Sequence, residues 1–379
     1  MGMSKKVIRM GMVGGGTDAF IGQAHRTAAR IDGRYDFCAG ALSSTAEKSL
    51  TSGIILGLDE DRIYSNYKVM AERESLRSDG IDVVVVVTPN HLHFEVSKVF
   101  LEHGIHVICD KPLTSRPKDA IPFYHTVMSS KAHFMLTHNY TGYPMVREAK
   151  RIVSSGKLGK IRVIQMEYVQ GWLAKDSEKG KQAAWRLDPE KAGIGGSIGD
   201  IGTHALQLAE FVTGKKALSV SADLTAFGTG RALDDNAHIL FRFEDEIRGM
   251  MWTSQIAIGY DNGLQLRIVG EKGSLTFQQE SPNQLVVSCL DEPSQVIVKG
   301  GNHFEGAARV PAGHPEGYLE AFSQLYSDFA DWRLGLVSQK PDIPGIVEGV
   351  RGMAFVEAAR SSSINDSRWF KVSDFTDPN

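Results

Sequence analysis

Five consecutive valines, Val83–Val87, stand between Asp82 and Thr88 in the stretch "IDVVVVVTPN". Branched side chains favour extended backbone, and a run with no polar residue leaves no wet face. The segment is therefore expected to be a strand covered on both sides. A central strand of a parallel sheet, with helices on both faces, supplies that environment. The flanking sequence has the matching rhythm. Lys6 to Val13 is an apolar run that ends in Gly14-Gly15-Gly16, and a helical pattern follows through Ile21, Ala24, Ala28 and Ile31. "YDFCAGALSS" reads as a second strand. After the valines, "HLHFEVSKVFLEHG" is helical up to Gly104, and "IHVICDKP" is a strand stopped by Pro112. Alternation of this kind to about Thr137 predicts a doubly wound parallel sheet.

Beyond Tyr143 the rhythm changes. A helix in "PMVREAKRIVSSG" and a strand in "KIRVIQMEYVQ" precede a glycine-rich segment, "GIGGSIGDIGTHALQLAEFVTG", that runs into another apolar helix. Seven short alternating strands then lie between Leu218 and Val298, and helices are expected near Glu316–Leu334 and Gly345–Ser361. The fold class expected is α/β, with a second α/β domain built on a large, open, mostly antiparallel sheet. A chain of 379 residues exceeds what one core sustains. The expected division is a dinucleotide-binding domain over 1–139 and a domain for substrate binding and oligomerisation over 140–379.

A net charge of −3 gives no general attraction for nucleic acid or an anionic membrane. Three scattered cysteines, Cys38, Cys109 and Cys289, form neither a disulfide framework nor a metal-ligand spacing, which suits a reducing, cytoplasmic setting. The basic start reaches glycines before an apolar signal core can form, and no apolar run is long enough to cross a bilayer.

The glycine turn between the first strand and helix lets backbone approach a pyrophosphate, whose charge is favoured by unpaired N–H groups at a helix start. Gly14, Gly16, Phe20, Ile21 and Gly22 are the candidate contacts. The carboxylate that usually holds an adenosine ribose belongs at the end of the second strand, where this chain has Ala41-Leu42-Ser43-Ser44. Ser43, Ser44 and Lys48 suit a 2′-phosphate, but Ser44 or Thr45 equally suits capping of the next helix, so both NAD and NADP remain open. In the glycine-rich segment, Asp200 and His204 are four residues apart and share one face of a helix. Histidine has the pKa for taking a proton from an alcohol as hydride leaves carbon. Taken alone, the same spacing also fits a capped helix start with a surface histidine. One acid and one imidazole are too few ligands for a metal, and none is expected.

"TPNHLH", "CDKPLT" and "GDIGTH", in that order, resemble the Gfo/Idh/MocA family of glucose-fructose oxidoreductase and inositol 2-dehydrogenase. The resemblance implies a Rossmann domain, NAD or NADP as cofactor, and hydride transfer at a secondary hydroxyl of a sugar, sugar derivative or cyclitol. It implies that Lys111 is catalytic, within an Asp110-Lys111-Pro112 that stands where Glu-Lys-Pro is usual, and that Asp200 binds substrate while His204 is the catalytic base. Thr88, Pro89, Asn90 and His93 match the family's stretch along the cofactor; His93 equally fits a helix surface. Asn139 and Tyr143 are candidates for touching nicotinamide or sugar, and Trp185 and Arg186 for stacking on and donating to a pyranose. The turn departs from the family's compact form by about three extra residues around Thr17 to Ala19. A homodimer or homotetramer is implied. A glycosidase that uses NAD transiently is the rival enzyme, and a cofactor-sensing binding protein the rival outside catalysis.

Overall fold

The computed structural model describes residues 7–175 and 188–373. Their contacts group them into two units. The first comprises the chain up to Thr114, Lys118–Asn139 and Leu319–Val350; the second comprises Ser115–Pro117, Tyr140–Tyr318 and the chain from Arg351. The segment Leu319–Val350 thus belongs with the N-terminal unit, an excursion that a simple cut after residue 139 does not contain.

In the first unit five parallel strands lie in the order β2-β1-β3-β4-β5: β1 Ile8–Gly14, β2 Tyr35–Ala41, β3 Val83–Val87, β4 His106–Cys109 and β5 Phe134–Leu136. All five valines of β3 are buried, as an unbroken apolar run requires. Helices α1 (Phe20–Ile31), α2 (Ala46–Ile55), α3 (Tyr67–Leu76), α4 (His93–Glu102) and α5 (Pro117–Ser129) alternate with the strands. Gly104, two residues past α4, takes the left-handed conformation (φ +73) that favours glycine after a helix. The strand order reverses between β1 and β3, and the crevice outside their carboxyl ends is where such sheets take ligands.

The second unit carries a nine-stranded sheet in the order β13-β12-β11-β10-β6-β9-β8-β7-β14. Its strands are β6 Ile161–Val169, β7 Ala217–Thr225, β8 Asn236–Phe243, β9 Arg248–Ser254, β10 Gly263–Gly270, β11 Gly273–Gln278, β12 Gln284–Cys289, β13 Gln295–Val298 and β14 Phe370–Lys371. The β6–β9 pair is parallel and the other pairs are antiparallel. Along β8, Ile239, Phe241 and Phe243 are buried while Leu240 is exposed, the alternation of a sheet covered on one face. Helices α6 (Pro144–Ser154) and α7 (Thr203–Thr213) pack against each other and the sheet. Two further helices close the chain, α8 (Tyr318–Arg333) and α9 (Ile346–Ser363).

Candidate functional site

In the first unit the candidate residues gather at the β1–β3 reversal. Gly14 and Gly15 adopt φ +78 and +67, which let the chain turn sharply out of β1. A Cβ on Gly22 would collide with the Gly15 backbone, so this glycine permits α1 to approach the turn. Beneath it, the buried Arg26 guanidinium donates to the Gly15 carbonyl. Ala19 precedes α1 without any side-chain cap, leaving the first-turn N–H groups aimed outward. The extra residues Thr17 to Ala19 fold as a short turn, with Ala19 N–H donating to Gly16 O (3.0 Å) and the Thr17 hydroxyl 3.4 Å from that of Ser52. Phe20 is exposed and Ile21 half-buried at the start of α1.

At the end of β2, Ser43 is half-buried and Ser44 and Lys48 are exposed. Thr45 makes no side-chain cap to α2. The turn is tied instead by Ser49, unremarkable in sequence, which accepts from Leu42 N–H (2.9 Å) and donates to Tyr64 O (2.7 Å).

After β3, Pro89 is exposed and Asn90 buried. The Thr88 hydroxyl oxygen and the Asn139 side-chain nitrogen are buried without a hydrogen-bond partner among the described residues. Buried polar atoms are ordinarily paired, so these two atoms, Thr88 being next to Gly14 of the glycine turn, fit a polar ligand that completes their bonding. A dinucleotide meets that donor set. His93 is not on the helix surface: it is buried, with Nδ1 2.7 Å from Pro112 O and Nε2 2.9 Å from Thr88 O. It fastens the two loops rather than facing outward.

Lys111 follows β4 and is half-buried, with a cis peptide to Pro112. The Asp110 side chain accepts from the Thr137 hydroxyl (2.9 Å) and lies 3.6 Å from His25 Nε2. Burial alone would raise its pKa, but the nearby His25 and the Lys111 ammonium hold it below the usual carboxylate value. His138, which sequence reasoning passed over, is buried near this pair. Burial and then the Lys111 charge push it down to about 3, so it is a neutral imidazole at physiological pH.

In the second unit Asp200 and His204 are not on one continuous α-helix. Asp200 belongs to a π turn, Ile198–Gly202, that leads into α7, where His204 lies in the first turn. The wider turn is held by a distant carboxylate, since Asp234 accepts from Gly196 N–H (2.6 Å), Ser197 Oγ (2.7 Å) and Ile198 N–H (2.9 Å). Burial nevertheless raises the Asp234 pKa, with these bonds opposing. Asp200 Oδ2 accepts from Gln255 Nε2 at 2.9 Å. His204 is buried edge-on to Tyr140, ring centres 4.9 Å apart, with Tyr168 at 6.2 Å. The Tyr140 and Tyr168 hydroxyls bond each other, and Tyr168 donates to Asn262 Oδ1 (2.9 Å), which also accepts from Gln170 (2.8 Å). Burial raises both tyrosine pKa values, keeping the hydroxyls protonated.

Of the other candidates, Tyr143 is fully buried, with its hydroxyl accepting from Gln279 (3.1 Å). Tyr140, three residues earlier, is the tyrosine that meets His204. Trp185 and Arg186 lie outside the described residues. Among the described residues no cluster of three or more metal-ligating side chains occurs, and no helix is long and apolar enough to cross a membrane. Gln255, Asn262 and Asp234 went unnoticed in the sequence because each acts from more than 30 residues away; "LDDNAH", two acids entering a strand, was the one available signal for Asp234.

Comparison with known proteins matches both parts of the chain to one family. Residues 8–138 match the family described as "Oxidoreductase family, NAD-binding Rossmann fold", and residues 146–276 match the "GFO/IDH/MocA C-terminal domain". A crystal structure of an oxidoreductase from Sinorhizobium meliloti is 46% identical, covers 97% of this chain and 100% of that one, and superposes with a TM-score of 0.89. An inositol dehydrogenase homologue from Azotobacter vinelandii, complexed with NADH and myo-inositol, is 32% identical over 97% of this chain and 98% of that one, with a TM-score of 0.89. Levoglucosan dehydrogenase of Pseudarthrobacter phenanthrenivorans is 28% identical over 75% of this chain and 77% of its own.

Proposed function

From the premise that the chain belongs to the Gfo/Idh/MocA family and is an NAD-binding oxidoreductase of the sugar and inositol dehydrogenase type, we propose that it oxidises a secondary hydroxyl of a cyclitol or of a sugar held in its ring form. The single observation that carries this reading is the arrangement in the second unit, where a π turn bearing Asp200, held by Gln255, leads directly into the helix whose first turn carries the buried imidazole of His204. One relative complexed with myo-inositol and another named levoglucosan dehydrogenase support the ring substrate.

A bound nicotinamide supplies the hydride acceptor. The glycine turn, the start of α1, Thr88 and Asn139 would hold the dinucleotide. Lys111 donates a hydrogen bond to the reacting oxygen and stabilises the charge that develops there. His204 takes the hydroxyl proton on a ring nitrogen, while Tyr140 and Tyr168 keep the imidazole upright and exclude water. Asp200 accepts from a neighbouring substrate hydroxyl and so orients the ring. The apolar Leu240 and Met250 on the exposed sheet face are consistent with assembly into a homo-oligomer.

The test is a panel of myo-inositol, scyllo-inositol, levoglucosan and free monosaccharides with NAD and NADP, read by absorbance of the reduced cofactor. Turnover that falls about 10²- to 10⁴-fold in His204→Ala is expected for loss of a positioned base. Unchanged turnover in that variant rejects the assignment.

A further inference from the structure

We propose that His25 is a positioning residue for Lys111, acting through Asp110. The inference rests on the reading of Lys111 as catalytic. His25 is fully buried on α1, the helix that follows the glycine turn. Its two nitrogens face different partners: Nδ1 is 2.8 Å from the Tyr326 hydroxyl of α8, and Nε2 is 3.6 Å from Asp110 Oδ1, with no hydrogen-bond partner closer. The ring is wedged edge-on against Phe322 and Tyr326, so it cannot swing away.

The chemistry of these groups sets the direction of the contact. Asp110 is an acceptor only, because its carboxyl is held ionised. Thr137 has one hydroxyl proton, shared between Asp110 Oδ1 (2.9 Å) and Cys109 O (3.3 Å). A carboxylate largely withdrawn from water is stabilised by a second donor. If Tyr326 donates to Nδ1, the single imidazole proton sits on Nε2 and faces Asp110; the other tautomer would place a lone pair against an anion. At 3.6 Å the approach is electrostatic rather than a full hydrogen bond, and a shift of a few tenths of an ångström closes it. Asp110 N–H meanwhile donates to Val86 O at 2.9 Å. Backbone and side chain of the residue before Lys111 are thus both fixed, the side chain by an imidazole whose own orientation α8 decides. Loss of His25 leaves the Asp110 carboxylate to turn toward the adjacent ammonium, and Lys111 is displaced from the reacting oxygen.

The variants that separate this role from bulk packing are His25→Gln, which keeps an N–H near the Nε2 position, His25→Asn, which keeps one near Nδ1, and His25→Ala. Each is measured in the full chain with NAD and with myo-inositol or levoglucosan, alongside NADH binding by fluorescence and acetylation of Lys111 by acetic anhydride, which needs no substrate. Expected is a kcat about tenfold lower for His25→Ala and His25→Asn, with NADH affinity nearly unchanged, an altered Lys111 labelling rate, and recovery in His25→Gln. In an Asp110→Asn background the alanine change should add nothing further. Full activity and unaltered labelling in His25→Ala, equal rescue by asparagine, or an undiminished effect in the Asp110→Asn background overturns the proposal. If His25→Ala does not fold, the contrast between glutamine and asparagine decides. Lys111→Ala, assayed in parallel, tells the two readings apart: full turnover there rejects the role of Lys111 itself, whereas its loss together with an active His25→Ala rejects only the role of His25.

Discussion

The His93 imidazole touches the Pro112 carbonyl at 2.7 Å and the Thr88 carbonyl at 2.9 Å, joining the loop after β3 to the loop that carries Lys111. A neutral imidazole has one N–H, so it donates fully to only one of two carbonyls. Burial lowers the His93 pKa, while the Asp110 charge and both carbonyls act in the opposite sense. Removing the ring leaves a buried carbonyl unpaired and a cavity between the loops. His93→Ala is expected to lose roughly 2 kcal/mol of stability. Chemical denaturation would show it, with cofactor affinity falling at the same time because Thr88 is no longer tethered.

Gln255 donates to Asp200 at 2.9 Å, and a bond to a carboxylate aims it. Gln255→Leu is expected to raise KM for the polyol about tenfold and leave kcat much less changed, since ground-state orientation is what is lost. Steady-state kinetics on the purified variant checks this; an unaltered KM counts against Asp200 as a substrate contact.

Asp234 holds two N–H groups and a hydroxyl at the π turn. Asp234→Ala strands the two N–H groups and leaves Ser197 with the Thr253 hydroxyl (3.2 Å), at a cost of roughly 3 kcal/mol. Activity should fall alongside, because Asp200 lies in that turn. A melting temperature equal to the parent's would show that the turn holds itself.

Acid should destabilise the fold through histidines largely withdrawn from water. His106 is pushed down to about 4, by burial and then the charges of Arg333 and His133, and His138 to about 3. As pH drops below the ordinary value of 6.5, the unfolded chain takes up protons that these folded sites refuse. Their stabilisation is complete above 6.5 and is lost as pH falls toward the folded values, at ~1.4 kcal/mol per pH unit for each site. The lowered Asp110 acts in the same direction at more acid pH, and the raised Asp234 opposes it. Melting temperature measured from about pH 7 to about pH 4.5 should decline steadily. A flat profile would mean that these imidazoles are solvated in solution.

By itself the sequence determined the architecture and which short motifs carry the candidate site residues. Unbroken valines require two covered faces, three glycines require a turn, and alternating strands require a half-covered sheet. Each of these is a local demand of the backbone or of water on neighbouring residues, so it can be read along the chain. Lys111, Asp200 and His204 stood out as candidates because they lie in short motifs. Tertiary structure alone decided what supports them. Asp234 reaches back to the π turn, Gln255 to Asp200, Tyr326 to His25, and Tyr168 to Tyr140 beside His204. Each partner is brought close by sheet pairing or helix packing over tens to hundreds of residues. A hydrogen bond depends on ångströms in space rather than on separation along the chain, and spacing in sequence carries no record of it.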